Sequence, residues 1–273
     1  MLDMDNVKNN MTLSLAVAYN GKPFCGFARQ PGQLTVQGEL EHALGLLFRR
    51  EVETTCAGRT DAGVHARAQV VSFNISSDEL RDRTLESLAR SMNALTHEAI
   101  VVRSVDEREL GFSARFDATE REYRYFICVE PAPPIFLREF SWHIPKPLDV
   151  EAMREASRAL IGEHDFKSFC MAASAVGKPT CRNVHEISFA QEEVMGERAV
   201  VITVKGNAFL HSMVRTIVGT LVMVGRGQRD TDWVAEVLAA RDQACDRCAA
   251  GENAPAAGLV FWNVSYDGVR DHI

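Results

Sequence analysis

The sequence predicts an α+β protein built from two similar halves, and three patterns support this class. Met11–Tyr19 alternates apolar and small polar residues, as a half-buried strand does. Along Val36–Phe48, apolar residues recur at helical spacing and form one stripe. A comparable succession of strands and helices begins again at Glu122. We therefore expect each half to contain helices packed on a mostly antiparallel sheet.

In the first half, a Gly- and Pro-containing loop precedes the first helix, and a turn-rich connection separates the next two strands. The predicted elements are, in order, strand Met11–Tyr19, helix Val36–Phe48, strands Val52–Ala57 and Ala68–Ile75, helix Asp78–Ala94 and strand Ala99–Val105. A break over residues 106–114 then marks the domain boundary. We accordingly place an N-terminal α+β half at residues 1–110 and a C-terminal α+β half at residues 111–273.

In the second half, Asp149 is expected to cap a helix that ends before Gly162. The predicted elements are strands Glu122–Glu130 and Phe136–His143, the helix from Asp149 to Ile161, strands Val184–Gln191 and Ala199–Lys205, helices Asn207–Val224 and Asp232–Arg241, and strand Leu259–Tyr266. The helix Asn207–Val224 is apolar except for one polar stripe, because its polar residues repeat every four positions.

The overall composition is that of a soluble globular protein, with 46% hydrophobic and 25% charged residues. The polar N-terminus and the absence of a long apolar run predict neither a signal peptide nor a membrane span. The net charge of −7 argues against a protein that coats nucleic acid through bulk positive charge. Most of the 30 cations are Arg, which permits a local phosphate-binding site on an acidic body.

Cysteine usage predicts a reducing, cytoplasmic environment. The seven cysteines are odd in number and scattered, which favours free thiols over a disulfide framework. Cys245 and Cys248 have the spacing of a zinc or redox pair. A second ligand pair is missing and the surroundings are polar and alanine-rich, so we expect no metal or redox role there.

The connection after the strand Val52–Ala57 contains the residue of greatest interest, Asp61. Turn chemistry explains the Gly, Thr and Asp content of this connection. A turn does not require a carboxylate two residues from Arg59, with His65 and Arg67 close behind. Cationic neighbours stabilise the ionised carboxylate, which can then act as a nucleophile or a base. Taken alone, Asp61 could equally be a turn residue that bonds its own backbone.

Five short strings, in order over more than 200 residues, place this loop in a wider pattern. The strings are Thr35-Val36-Gln37-Gly38-Glu39-Leu40, Gly58-Arg59-Thr60-Asp61-Ala62-Gly63-Val64-His65, Ala114-Arg115-Phe116-Asp117-Ala118-Thr119 with Tyr123-Arg124-Tyr125, Asn207-Ala208-Phe209-Leu210-His211-Ser212-Met213-Val214-Arg215, and Pro255-Ala256-Ala257-Gly258-Leu259. Together they resemble the bacterial tRNA pseudouridine synthase A (TruA) family. The resemblance implies the pseudouridine synthase fold, in which the two halves form one extended central sheet.

The resemblance also implies an activity: isomerisation of uridine to pseudouridine at positions 38, 39 and 40 of the tRNA anticodon stem-loop. The family uses no cofactor and no metal, and it acts as a homodimer on its tRNA substrate. Its essential aspartate corresponds to Asp61 in this sequence. Asp61 could add to ribose C1′, support an oxocarbenium-like state as an ion pair, or remove the C2′ proton. The sequence does not separate these three routes.

Three further residues are implied to bind substrate. Arg59 corresponds to the family's arginine associated with flipping the base, although it could be a solvated loop charge. Tyr123 matches the substrate-binding tyrosine, and strand alternation places it beside Arg121 and Tyr125 on a face able to stack uracil. Arg215 needs a partner if it is buried, and that partner is either Asp61 or another group.

The remaining charged residues near these strings are expected to be structural. The implied chemistry needs no histidine, so we assign His65 and His211 to the framework and Lys205 to a strand end. Two other functions remain open from the residues alone. One is an RNA-binding module without catalysis, which the intact Asp61 argues against. The other is a metal-dependent hydrolase, for which the loop lacks a second carboxylate at ligand spacing.

Overall fold

The structure of the protein, a computed structural model, describes residues 10–81, 83–171, 177, 179–240, 250–267 and 269–270. The chain divides into two units. The first extends to Thr119 and also includes the residues from Phe261 onward, and the second is Glu120–Val260. Both units combine helices with mostly antiparallel strands, which confirms the predicted α+β class.

The division into units differs from the sequence-based one, which places the boundary after residue 110 and the last strand in the C-terminal half. The last strand belongs with the first unit because the Tyr266 hydroxyl donates to the Ala114 carbonyl at 2.8 Å. The Thr119 hydroxyl likewise donates to the Ser265 carbonyl at 3.1 Å. The chain therefore returns to its first unit after completing the second.

The first unit is built around an antiparallel sheet. Its elements are β1 (Asn10–Tyr19), α1 (Val36–Phe48), β2 (Thr55–Cys56), β3 (His65–Ser76), α2 (Ser77–Leu80), α3 (Leu85–Leu95), β4 (Ile100–Arg108), the start of β5 (Ala118–Cys128), most of β10 (Leu259–Tyr266), and β11 (Val269–Arg270). Strand β1 pairs with both β3 and β4, and β2 pairs with β3. Apolar residues of β1, β3, α1 and α3 are fully buried and form the core, among them Leu13, Leu15, Leu40, Ile75, Leu88 and Met92.

Helix α1 begins at Val36, as predicted, because Thr35 caps it. The Thr35 side chain accepts a hydrogen bond from the Gly38 amide at 3.2 Å. The Gln37 side-chain amide donates to the Thr54 carbonyl at 3.1 Å, and the Glu41 carboxylate accepts from the Thr54 amide at 3.0 Å. Since these side chains satisfy the Thr54 backbone, the strand predicted at Val52–Ala57 shortens to Thr55–Cys56.

The single helix predicted at Asp78–Ala94 is wrong, because the chain forms two helices there. Helix α2 ends at Leu80, and Arg81 adopts a left-handed φ of 49°. Helix α3 begins at Leu85, directly after its N-cap Thr84, whose side chain accepts a hydrogen bond from the Ser87 amide at 3.1 Å. A second cap within the predicted helix is therefore the signal for the interruption.

The second unit contains a four-strand antiparallel arrangement and three helices among its described residues. Its elements are the rest of β5, β6 (Trp142–His143), α4 (Val150–Ser157), β7 (Gly162–Asp165), β8 (Cys181–Val194), β9 (Glu197–Gly206), α5 (Met213–Gly225) and α6 (Trp233–Ala239), with 3-10 turns at Arg158–Leu160, Lys167–Phe169 and Ala256–Gly258. Strand β9 lies between β5 and β8, and β7 pairs with the other edge of β8. Asp149 caps α4 as predicted, accepting from the Ala152 amide at 2.9 Å.

Two predictions in this unit are wrong. The strand predicted at Phe136–His143 is mostly a loop, because the Glu197 carboxylate accepts hydrogen bonds from three successive amides, at residues 135–137. Helix α5 starts at Met213 rather than Asn207. Asn207 is held to β8 instead: its amide donates to the Asn183 carbonyl, and its side chain accepts from the Asn183 amide, each at 3.1 Å.

None of the described helices combines the length and apolar character needed to cross a membrane. Cys245 and Cys248, the candidate zinc or redox pair, lie outside the described residues.

Candidate active site

Asp61 lies in the loop that connects β2 to β3, and its side chain is half-buried. The loop closes as a turn in which the Val64 amide donates to the Asp61 carbonyl at 3.1 Å. Gly63 has a φ of 76°, a left-handed conformation that glycine adopts at little cost. Arg59, two residues earlier, is exposed. The turn thus presents a carboxylate and a guanidinium on one short loop.

The base of this loop is held by a buried side chain of β3, that of Gln69. Its amide nitrogen donates to the Gly58 carbonyl at 2.6 Å, and its oxygen accepts from the Gly58 amide at 3.2 Å. The neighbouring Ala57 amide donates to the Val70 carbonyl at 2.9 Å. A fully satisfied buried amide fixes the backbone just before Arg59.

The tip of the loop is held by the last residue of β1 and by the segment that follows this strand. The Phe27 amide donates to the Thr60 carbonyl at 3.0 Å, and the hydroxyls of Tyr19 and Thr60 share a hydrogen bond of 2.8 Å. Gly21 lies so close to Val64 that a Cβ at this position would overlap the Val64 carbonyl. Thr60, directly before Asp61, and Val64, three residues after it, are therefore both fixed by a second segment.

His65 has the structural role predicted for it. Its side chain is buried, and its Nδ1 accepts a hydrogen bond from the Gly21 amide at 3.0 Å. An Nδ1 that accepts a hydrogen bond carries no proton. His65 therefore links β3 to the segment after β1 and adds to the support of the loop.

Burial keeps two nearby acids protonated. It raises the pKa of the Cys56 thiol to about 12, although the charges of Arg59 and Arg115 act in the opposite direction. Burial also raises the pKa of the Tyr19 hydroxyl, although its hydrogen bond to Thr60 opposes this. Neither group is an anion near neutral pH, so neither can serve there as a nucleophile or a base.

Tyr123 lies on β5 in the second unit, opposite Val204 of β9. Its ring packs edge-on against Phe209, with 5.2 Å between centroids and an interplanar angle of 84°. Only 7% of the residue is exposed. Arg121, two residues earlier, donates from Nη1 to the Asn207 carbonyl at 2.6 Å. Tyr123 is therefore oriented by the segment between β9 and α5.

Tyr125 does not extend the stacking face expected from strand alternation. It is fully buried, and its hydroxyl donates to the Pro255 carbonyl at 2.8 Å. Gly258 lies against its ring, so that a Cβ there would come within 2.5 Å of Cζ. Burial raises the pKa of the Tyr125 hydroxyl, against the effect of the Arg215 charge. Tyr125 is thus a core residue that anchors the last loop.

Arg215 lies on α5 and is half-buried. Its Nε donates to the Ala254 carbonyl at 2.8 Å, while the Ala254 amide donates to the Arg215 carbonyl at 3.1 Å. The predicted polar stripe of the helix faces the same loop, since Thr216 donates to the Asn253 side chain at 2.7 Å. A backbone carbonyl is thus one partner of Arg215, and the predicted pair with Asp61 stays a prediction.

The site residues predicted from sequence are thus distributed over both units, with Asp61 and Arg59 in the first and Tyr123 and Arg215 in the second. His211 is exposed, and Lys205 pairs with Glu186 at 2.5 Å. The described residues include no group of three or more His, Cys, Asp or Glu side chains arranged to hold a metal ion.

Sequence reasoning missed the residues that hold the loop, above all Gln69, Tyr19 and Gly21. The signal for Gln69 was weak, because it is one of three polar residues, with Ser72 and Asn74, on the predicted strand Ala68–Ile75. The close approach of Gly21 to Val64 had no local signal, since 43 positions of sequence separate two loop segments that meet only in the fold.

Comparison with known proteins identifies the family. A family model described as tRNA pseudouridine synthase matches residues 15–117 and 156–267. A tRNA pseudouridine synthase A from Brevibacillus brevis is 44% identical over 93% of this chain and 99% of its own length. Those from Bacillus velezensis and Bacillus subtilis are 41% and 39% identical, each over 94% of this chain and its entire own length. The chain belongs to the tRNA pseudouridine synthase family.

Proposed function

We propose that the protein isomerises uridine to pseudouridine at positions 38, 39 and 40 of the tRNA anticodon stem-loop. The general activity follows from the family: the protein is an enzyme, an isomerase that acts on uridine in tRNA. The choice of stem-loop and positions rests on the resemblance of the sequence strings. The observation that carries the proposal is Asp61, a carboxylate on a loop whose backbone is fixed on both sides.

The reaction requires one carboxylate near the sugar. The bond from uracil N1 to ribose C1′ breaks, the base turns, and C5 bonds to C1′ while the C5 hydrogen leaves and N1 gains a proton. Asp61 supplies the carboxylate, as a nucleophile at C1′, as an ion-pair partner of the developing cation, or as the base at C2′. In all three routes a fixed carboxylate position lowers the barrier, because less ordering is needed on the way to the transition state.

Three side chains support this chemistry in the proposal. Arg59 is exposed on the same loop, so its guanidinium is available to fill the space left by a flipped base and to bind a phosphate. Tyr123, whose ring is oriented by Phe209, supplies the aromatic ring on which the uracil stacks. Arg215, held by the Ala254 carbonyl, supplies a positive charge for the RNA or for Asp61.

We further propose that the enzyme works in the cytoplasm as a homodimer. The five cysteines within the described residues are free, which supports a reducing environment. The net charge of −7 is compatible with a shared tRNA surface, since two acidic chains can pool their scattered Arg side chains on one cleft. Sedimentation of the protein alone and with tRNA tests the dimer directly.

Release of tritium from tRNA labelled at uracil C5 tests the reaction, because C5 must exchange hydrogen for carbon. Asp61→Asn keeps the shape of the side chain but removes the charge, and we expect no release above background. Asp106→Asn is the matched control, since Asp106 is an exposed carboxylate on β4 that accepts from Ser104 at 2.8 Å. Turnover by Asp61→Asn at the rate of Asp106→Asn would remove Asp61 from the mechanism.

The position of the modified uridines is tested separately. Transcripts carrying a single uridine at position 38, 39 or 40 should each be modified, as read by chemical mapping of pseudouridine. A transcript with cytidine at all three positions should remain unmodified. Modification confined to another part of the tRNA would contradict the stem-loop assignment but would leave the isomerase assignment intact.

A further inference from the structure

Of the large apolar side chains that the structure describes, Phe116 is the most exposed, with 81% of its surface open to water. Its backbone is nevertheless firmly held. The Ser113 amide donates to the Asp117 carboxylate at 2.8 Å, and the Asp117 amide donates to the Ser113 carbonyl at 3.1 Å. Each square ångström of apolar surface in water costs roughly 25 cal/mol, so a fixed and exposed ring indicates a surface that is covered in use.

The segment that carries Phe116 is tied to the strands that support the catalytic loop. The Ala114 amide donates to the Ser72 hydroxyl on β3 at 3.0 Å, and the Ala114 carbonyl accepts from the Tyr266 hydroxyl at 2.8 Å. Ser72 is paired with Thr55 on β2, the strand that leads into the loop. The position of Phe116 is therefore fixed relative to that of Asp61.

A positive charge lies beside the Phe116 ring, although the Asp117 carboxylate that accepts from Ser113 is its neighbour in sequence. The Arg115 guanidinium lies 5.7 Å from the Phe116 ring centroid. Both Arg115 and Arg59 are near enough to Cys56, at the end of β2, for their charges to oppose the rise in its thiol pKa. Two guanidiniums thus lie around the stem of the catalytic loop, together with one exposed aromatic ring. Stacking rings and phosphate-binding guanidiniums are what single-stranded RNA binds.

We infer that Phe116 and Arg115 form a contact site for tRNA, in which Phe116 stacks on an unpaired base next to the target uridine and Arg115 binds a backbone phosphate. The inference rests on the proposed tRNA substrate. Flipping a uridine out of its stack leaves neighbouring bases without a partner, and an aromatic ring fixed near the catalytic loop can replace that partner. An exposed ring beside a guanidinium favours RNA as the occupant, because the ring can stack on a base while the guanidinium binds a phosphate.

Affinity for an unmodified tRNA transcript tests the stacking contact, with the rate of a single turnover at saturating enzyme as the second measurement. Phe116→Ala should raise the Kd by roughly 5- to 150-fold and should also lower the single-turnover rate, because the ring replaces the stacking partner that is lost when the uridine flips. Phe116→Trp should retain affinity, whereas Phe116→Leu should bind as weakly as Phe116→Ala, because leucine is apolar but cannot stack. Phe136→Ala is the matched control, since Phe136 is 54% exposed in the second unit.

The salt dependence of the same affinity tests the phosphate contact. Arg115→Gln should make the slope of log K against log salt shallower by about 0.7 to 0.9. The inference would be overturned if Phe116→Ala bound tRNA within twofold of the wild-type affinity, or if Phe136→Ala lost as much affinity as Phe116→Ala. It would also be overturned if Phe116→Ala dissociated a dimer of the protein. If the wild-type protein releases no tritium but Phe116→Ala still weakens tRNA binding, the contact is upheld and the proposed reaction is refuted.

Discussion

The side-chain amide of Gln69 bonds both the N–H and the C=O of Gly58, the residue before Arg59. Strand β3 therefore positions the loop that precedes it, because one buried side chain on the strand fixes the backbone at the start of that loop. Asp61, which carries the catalytic carboxylate of the proposed mechanism, is three residues after Gly58. Its placement therefore depends on a residue that need not touch the RNA.

Gln69→Leu should lower the single-turnover rate by about 10- to 100-fold with little change in tRNA affinity, because a displaced Asp61 costs rate rather than binding. Two backbone groups also lose their partners, which costs about 1–3 kcal/mol of stability for each group that stays buried. Asn93→Leu is the matched control. Asn93 forms the same pair of bonds, to the N–H and C=O of Val102 at 2.7 and 2.8 Å, away from the loop. Equal rates in the two variants would refute the positioning role of Gln69.

Gly21→Ala tests the support at the other end of the loop. An added methyl group would overlap the Val64 carbonyl, so the loop must move. We expect a stability loss of about 1–3 kcal/mol and a lower turnover rate, measured by thermal unfolding and tritium release. Gly45→Ala in α1 is the control, because its Cβ would lie 3.4 Å from its nearest neighbour and alanine favours a helix by about 0.5–1 kcal/mol. A Gly21→Ala protein as stable and active as Gly45→Ala would contradict the close packing.

Local patterns were sufficient to predict the elements that depend on local chemistry. The helix at Val36–Phe48 and the strand at Leu259–Tyr266 were confirmed at both ends. The first has a side-chain cap at Thr35, and its apolar stripe sets the buried face. The second is a nearly continuous apolar run, bounded by the turn that contains Gly258. In each case the signals for start and end lie within a few residues of the element.

Elements whose backbone is held by distant side chains could not be predicted this way. Phe136–His143 has strand composition, but Glu197, some sixty residues later, holds its first amides in a loop. Asn207 fits a helical pattern but is bound to Asn183. The same limit applies to the site. Asp61 and Arg59 were identified by their sequence string, whereas the contacts that fix their loop are between segments far apart in the chain.

Gly219→Ala tests the contact between α5 and the loop that holds Arg215. A Cβ at this position would overlap the carbonyl of Glu252, so the loop must move away from the helix. The Ala254 carbonyl should then no longer hold Arg215, and we expect lower stability together with weaker tRNA binding. Gly225→Ala on the same helix is the control, since its Cβ would meet the flexible side chain of Met153, with Sδ at 2.6 Å. A larger effect at Gly225 than at Gly219 would contradict the contact.

The ion pair of Arg50 and Glu79 should contribute stability that disappears in acid. Arg50 Nε donates to the Glu79 carboxylate at 2.6 Å, and the Ser76 amide donates to it at 2.7 Å, at the start of α2. The hydrogen bond from Arg50 is the main cause that lowers the pKa of Glu79 to about 2; burial opposes it, and the hydrogen bond from Ser76 adds to the lowering. Because the folded-state pKa lies below the unfolded one, the stabilisation is present above about pH 4.5 and is lost as the pH falls toward 2.

Glu79→Gln should therefore lower the free energy of unfolding by about 1 kcal/mol at pH 7, a value that allows for solvent screening of a partly exposed pair. The difference between variant and wild type should shrink as the pH falls from 4.5 toward 2, because the wild-type carboxylate then becomes neutral as well. Urea unfolding at a series of pH values measures this difference. Glu155→Gln, from an exposed ion pair with Arg158 on the first turn after α4, should change stability by only a few tenths of a kcal/mol. A Glu79→Gln deficit that stays constant down to pH 2 would show that the carboxylate charge is not its source.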